Sequence, residues 1–129
     1  MALHLDPDAI IINLPSNDAS YGYSVEEQLA NYDSLLALAG RRDTPVWITT
    51  TQPRNLTVQG RANLMAVRDS TYARFGDRAI DFWNGLAVEN GSIDPAFDSG
   101  DGVHLNDQAH RILFQRVVET GLLEKIRSR

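Results

Sequence analysis

Cysteine is missing from all 129 residues, which excludes disulfides and thiolate metal sites and leaves the compartment unreadable from thiol usage. Histidine is scarce, at three residues, and none stands in the His-x-x-x-His or comparable spacing of a metal site, so no metal is implied. Long apolar runs are absent too. Even Ala9 to Ile12, the most strongly apolar run, falls far short of the ~20 residues that a membrane-spanning helix needs. Met1 to Pro7 has neither the basic start nor the apolar stretch of a signal peptide. The expectation is a soluble chain with no signal peptide in it, its compartment open. Basic residues are outnumbered, 12 Lys and Arg against 17 Asp and Glu for a formal net charge of -5. Most arginines lie on predicted helices among acidic residues, whereas a phosphate-binding surface clusters its cations, so nucleic acid is excluded as a partner.

What is present fits one globular domain over residues 1–129. The hydrophobic content is an ordinary 43%, enough for a single core, and no repeat, linker or low-complexity tract interrupts it. Ala9 to Leu14 is a short, β-branched, nearly continuous apolar run, the pattern of a strand covered on both faces. Ser24 to Glu27 reads as a capping box, in which Ser24 and Glu27 satisfy each other's backbone N–H groups. Leu29, Tyr32, Leu36 and Ala39 then recur at helical spacing, broadened by Leu35, up to a stop at Gly40.

Pro45 to Thr51 gives a second buried strand, closed by Gln52 and Pro53. A helix follows from about Thr57 to Phe75, with Leu64, Met65 and Val67 on its apolar side and Gly76 past its end. Its Gly60 weakens the first turn by roughly 1 kcal/mol relative to Ala. Ala79 to Trp83 is the third strand candidate. Asn84 to Gly102 carries turn signals at Asn90-Gly91 and Asp94-Pro95. The last helix runs from about Asn106 to Val118, with Ile112, Leu113, Val117 and Val118 inward, and Leu122, Leu123 and Ile126 extend it past Gly121.

Strands alternating with helices of this length imply an α/β fold, a mainly parallel sheet with helices on both faces. Ligands in such folds bind at the carboxyl ends of the strands. That end gathers Pro15 to Asp18, Thr51 to Asn55 and Trp83 to Gly85, with Asp101 to His104 able to fold over the same edge. Gln52, Arg54 and Asn55 are therefore candidate substrate contacts, with Pro53 between them, and Trp83 either belongs to the core or lines an acyl pocket.

Asp101-Gly102-Val103-His104 sets a carboxylate and an imidazole three residues apart, two members of a hydrolase triad. Asp101 to Asn106 resembles the fifth conserved block of SGNH hydrolases, the GDSL esterase and lipase superfamily. Ile12-Asn13-Leu14-Pro15-Ser16-Asn17-Asp18 resembles their third block, a strand ending in Gly-x-Asn-Asp. The resemblance spans nearly the whole chain. It implies a three-layer, flavodoxin-like α/β/α fold, acyl-ester hydrolysis through serine without a cofactor, His104 as general base, Asp101 as its orienting acid and the Asn17 amide as an oxyanion donor. Carbohydrate esters and lipid-like acyl esters both lie within the family's range.

Two departures matter. Pro15 stands where the third block has Gly. The block that supplies the nucleophilic Ser and the block that supplies an oxyanion Gly both belong upstream of Ala9, where eight residues stand and none is a serine. The expectation is an N-terminally shortened hydrolase segment. Either it lacks the family's usual catalysis, or it recruits another nucleophile: Ser16 beside Asn17, then Ser99 before Asp101, or a group from a partner chain. Loss of the first strand leaves a neighbouring strand edge open and apolar faces uncovered, so homo-oligomerisation is expected. Plainer roles compete at each position. His104 suits a surface site near a helix start, Asp101 and Asp107 suit a helix dipole, Asn17 and Asp18 suit a turn, and Ser16 suits a loop hydroxyl. His4 and His110 have no partner pattern. A silent, self-associating domain that binds a small ester or carbohydrate is the alternative to an enzyme.

Overall fold

Three short strands, β1 (Ile10–Ile12), β2 (Val46–Thr49) and β3 (Ala79–Ile80), pair in parallel in the order β1-β2-β3. Ile11 aligns with Trp47, Ile12 with Ile48 and Thr49 with Ile80. The computed structural model describes residues 6–14, 16–40 and 43–128. His4 and Pro15, both singled out in the sequence, lie outside them, as does most of the Met1 to Pro7 start.

The two-residue alternation of β2 divides the core. Trp47 packs with Ile80, Phe82, Leu105, Ala109, Leu113 and Leu122, whereas Ile48 packs with Tyr32 and Val67 on the other face. The first face is covered by α4 (Asp107–Glu119) and α5 (Leu122–Arg127), the second by α2 (Val25–Gly40) and α3 (Val58–Phe75). This is a three-layer α/β/α arrangement.

Local chemistry sets the boundaries. Ser24 and Glu27 form the anticipated capping box, the Glu27 carboxylate accepting from Ser24 N–H at 2.9 Å and the Ser24 hydroxyl from Glu27 N–H at 3.1 Å. The Thr57 hydroxyl caps α3 by accepting from Gly60 N–H at 3.1 Å. The strand expected over Ala79 to Trp83 stops at Ile80 because Asp81 Oδ1 accepts from both Trp83 and Asn84 N–H groups and turns the chain. Gly121, at φ 72°, occupies the left-handed region and separates α4 from α5 instead of letting one helix continue.

Three expectations about burial fail. Val118 is 50% exposed, because Leu113 and Leu122 already fill the inward positions. Leu35, at 37%, faces outward instead of broadening the α2 stripe. β1 is not covered on both faces either. Ile11 shares the Trp47 face but is 41% exposed and joins none of the apolar clusters among the described residues. Among the described residues the cluster on that face takes its strand side chains from β2 and β3, Trp47 and Ile80. No helix of the described residues is long and apolar enough to cross a membrane.

Candidate active site

The segment from Asp98 to Asn106 is fastened from within by side chains. Asp98 Oδ1 accepts from Gly100 N–H at 2.8 Å and Gly102 N–H at 3.0 Å. Asp101 Oδ1 accepts from Val103 and His104 N–H, both at 2.8 Å. An isolated antiparallel bridge joins Asp98 to Leu105, and Asn106 caps α4 by accepting from Ala109 N–H. Aspartates at a tight turn bond backbone groups two and three residues onward, so the spacing Asp98-x-Gly100 and Asp101-Gly102 builds the loop.

That loop holds an imidazole against a carboxylate. His104 Nδ1 lies 2.6 Å from Asp101 Oδ2. An ionised carboxylate only accepts, so Nδ1 carries the proton and Nε2 keeps the lone pair of a base. The His104 side chain is 76% exposed and that of Asp101 49%. The hydrogen bond from the His104 ring, joined by the backbone N–H groups of His104 and Val103, holds the Asp101 carboxyl well below the usual carboxylate range.

Asn17 begins the short helix α1 (Asn17–Ser20) at the carboxyl end of β1, and its side chain is exposed. Its Oδ1 accepts from Arg54 Nη1 at 3.0 Å. The next residue reaches the other half of the site, for Asn55 N–H donates to the Gly102 carbonyl at 2.9 Å. Asn55 Oδ1 also accepts from Ile93 N–H. Gly102 has φ 72°, and a Cβ there would lie 3.0 Å from Asn55 Nδ2, so the turn and the close approach both require glycine. Behind these loops, buried threonines tie the strand ends together: Thr49 Oγ1 donates to Asn13 Oδ1, and Thr50 Oγ1 accepts from Phe82 N–H. Asn17, Arg54, Asn55, Asp101 and His104 thus share one end of the sheet.

Other expected site residues are placed differently. Trp83 is 4% exposed and packs with Ala19 and Leu64 under the Arg68 guanidinium, so it is core and not a pocket wall. Ser16 is 6% exposed at the N-cap of α1, which keeps its hydroxyl from an incoming ester. Ser99 is exposed, but its Oγ donates to Asp101 Oδ1 at 3.1 Å and not to the imidazole. Gln52 is half-buried, its carbonyl accepting from Thr51 Oγ1. Two clefts, about 550 Å³ beside Asp81 and Arg116 and about 500 Å³ beside Trp47 and Arg78, include neither Asn17 nor His104. Among the described residues no three His, Cys, Asp or Glu side chains cluster as metal ligands.

The missed features are Asp98, whose carboxylate shapes the loop, and the bond from Arg54 to Asn17. Asp-x-Gly spacing signals the first. Nothing local signals the second, which joins residues 37 positions apart.

A sequence model described as the GDSL-like Lipase/Acylhydrolase family matches residues 1–112. No curated protein matches the chain. Three solved structures resemble it. A Bacteroides thetaiotaomicron VPI-5482 protein described as a GDSL-like lipase shares 19% identity at a TM-score of 0.79, covering 95% of this chain and 65% of its own. A Bacteroides fragilis NCTC 9343 protein described as an acylhydrolase shares 20% identity at 0.77, covering 96% and 65%. A Desulfitobacterium hafniense DCB-2 protein described as lipolytic and of the G-D-S-L family shares 13% at 0.76, covering 92% and 67%. The likeness at these identities is one of fold, and the chain spans about two thirds of the length of these proteins.

Proposed function

This chain belongs to the GDSL-like lipase/acylhydrolase family, and on that footing we propose that it carries the general base, the orienting acid and one oxyanion donor of a carboxylic-ester hydrolase. The observation that carries the proposal is the 2.6 Å contact between His104 Nδ1 and Asp101 Oδ2, which leaves Nε2 as the basic nitrogen on an exposed ring. In the proposed reaction a hydroxyl oxygen attacks the ester carbonyl while its proton passes to His104 Nε2. Asp101 stabilises the imidazolium so formed. The carbonyl oxygen becomes negative and meets the Asn17 Nδ2–H group, a donor worth about 3 kcal/mol in such sites. Collapse of the tetrahedral intermediate breaks the bond to the alcohol oxygen, which takes the proton back from His104. If the attacking hydroxyl belongs to a serine, water repeats the sequence on the acyl intermediate and releases the acid.

Ser16 is nearly buried and Ser99 is engaged with Asp101, so the attacking oxygen in this proposal, a water or a serine of another polypeptide segment, reaches Nε2 from the open side of the ring. Substrates are small carboxylic esters, acyl or carbohydrate, with Gln52, Arg54 and Asn55 at the rim.

Hydrolysis of p-nitrophenyl acetate and butyrate by the wild-type chain and by His104→Ala, Asn17→Ala, Ser16→Ala and Ser99→Ala tests the proposal. The expected result is a rate above buffer that His104→Ala abolishes, Asn17→Ala lowers and Ser16→Ala retains. Five proteins all at the buffer rate would overturn it. Intact mass after fluorophosphonate treatment reveals whether any serine of the chain carries the acyl group.

One observation favours a second reading, a silent and self-associating domain that holds a small ester or carbohydrate without turning it over. Ile11 is 41% exposed on a strand that pairs on one side only among the described residues. Concentration-dependent assembly together with hydrolysis at the buffer rate would select it.

A further inference from the structure

We propose that Arg54 is a positioning residue: it locks the Asn17 amide with its nitrogen turned away from the guanidinium, and through Asn55 it couples that amide to the Asp101–His104 loop. The proposal rests on reading Asn17 as an oxyanion donor, and it explains how an exposed amide keeps the orientation that the role demands. An asparagine amide is nearly symmetric in shape, and a free one at a helix start samples both flips. Only one flip offers N–H groups to an oxyanion.

Arginine removes the ambiguity because it has donors and no acceptor. The 3.0 Å bond from Arg54 Nη1 to the Asn17 side chain is satisfied by the amide oxygen alone, since the opposite flip sets donor against donor. The cation behind Oδ1 also draws electrons through the amide and makes Nδ2–H a stronger donor. Arg54 makes no ion pair among the described residues, so no carboxylate competes for its charge there.

The guanidinium is itself held in place. Pro53, on one side, is fully buried and fixes its own φ. Asn55, on the other, donates its backbone N–H to the Gly102 carbonyl and takes the Ile93 N–H on its side-chain oxygen. Residues 53–55 therefore act as a bracket with one arm on Asn17 and the other on the turn that carries Asp101 and His104. One guanidinium nitrogen is committed to Asn17, and Nε is buried without a partner.

Nitrogen-15 relaxation on the full chain tests this without requiring turnover. The Asn17 side-chain amide pair is assigned by its loss in Asn17→Ala. In the wild type its order parameter should be that of a fixed group, about 0.8, and in Arg54→Leu it should fall below about 0.6 while the backbone of residues 17–20 keeps its order. Arg54→Lys, still a donor, should recover an intermediate value. Asn55→Pro, which removes the N–H given to the Gly102 carbonyl, should loosen the Asn17 amide with Arg54 intact. If Arg54→Leu loses spectral dispersion, Arg54→Gln replaces it. An Asn17 amide equally ordered with and without the guanidinium would overturn the proposal. In ester hydrolysis, Arg54→Leu should lower kcat by about tenfold, with KM little changed and Lys in between. A wild type at the buffer rate sinks the hydrolase reading and leaves the relaxation result to decide the role of Arg54.

Discussion

Nδ1 of His104 and Oδ2 of Asp101 stand 2.6 Å apart, while the other oxygen of the same carboxylate is held by two backbone N–H groups at 2.8 Å. The carboxylate cannot swing away from the ring without giving up those bonds. In Asp101→Asn the backbone N–H groups keep the amide oxygen at Oδ1, which turns the amide nitrogen toward His104. Nδ1 must then accept, the proton moves to Nε2, and the base is lost. Hydrolysis by Asp101→Asn should fall on the order of 10²- to 10⁴-fold in kcat, with KM nearly unchanged. A variant that turns over at the wild-type rate would remove Asp101 from the mechanism.

The same hydrogen bonds set an acid limit for the loop. They hold the Asp101 carboxyl below the usual range, first through the His104 ring and then through backbone N–H groups. A carboxyl depressed in the folded state adds stability above its unfolded value of about 3.9, and that contribution is lost as pH falls through the folded value. The pair should therefore stay ionised and bonded at pH values where an ordinary aspartate is half protonated. A carbon-13 titration of the Asp101 carboxyl should show its midpoint below those of unperturbed aspartates such as are found in short peptides. A midpoint at or above about 3.9 would contradict the geometry.

The capping box and the Asp101–His104 pair were legible because their chemistry is local. Ser24 and Glu27 sit three residues apart, as do Asp101 and His104, and short-range bonds follow from spacing alone. The order of strands and helices was legible from hydrophobic period, and with it the end of the sheet where polar residues gather. What escaped depends on distant partners. Ile11 reads as a buried strand residue, yet its exposure is decided by which helices reach β1. Trp83 reads as core with a pocket wall as the alternative until Ala19 and Leu64 are seen against it. Ser16 adjoins Asn17 in sequence, but the start of α1 turns one inward and the other outward.

Gly60 shows how a local cost is outweighed by a contact. Glycine in a helix turn is worse than alanine by roughly 1 kcal/mol, so Gly60→Ala reads from propensity as a stabilising change. A Cβ at that position, however, would lie 2.9 Å from Leu56 Cβ and 3.2 Å from Leu56 Cδ1. The nearest atom is bonded directly to the backbone and cannot rotate away. Overpacking of this kind costs about 1–3 kcal/mol, which exceeds the propensity gain. Urea unfolding should place Gly60→Ala below the wild type in midpoint, with an unchanged slope. A rise in midpoint would mean that the loop before α3 yields freely, and it would also undermine the rigidity assigned to residues 53–55.

An open strand edge beside an exposed branched apolar side chain is a template for another chain. β1 pairs with β2 alone among the described residues, and Ile11 lies 41% exposed on the face where α4 and α5 cover the neighbouring strands. The wild-type chain should therefore associate at micromolar concentration, as read by size-exclusion chromatography with light scattering. Lysine at position 11 places a charge that a paired edge would have to desolvate, while leaving the β2 pairing and the three apolar clusters untouched. Ile11→Lys should then shift the population toward monomer at equal concentration without lowering the unfolding midpoint by more than about 0.5 kcal/mol in stability, the range of surface substitutions. A wild type that remains monomeric at those concentrations would show that the edge is adequately protected. An Ile11→Lys variant that assembles as strongly as the wild type would move the interface elsewhere, to the exposed Phe114 and Val118 of α4.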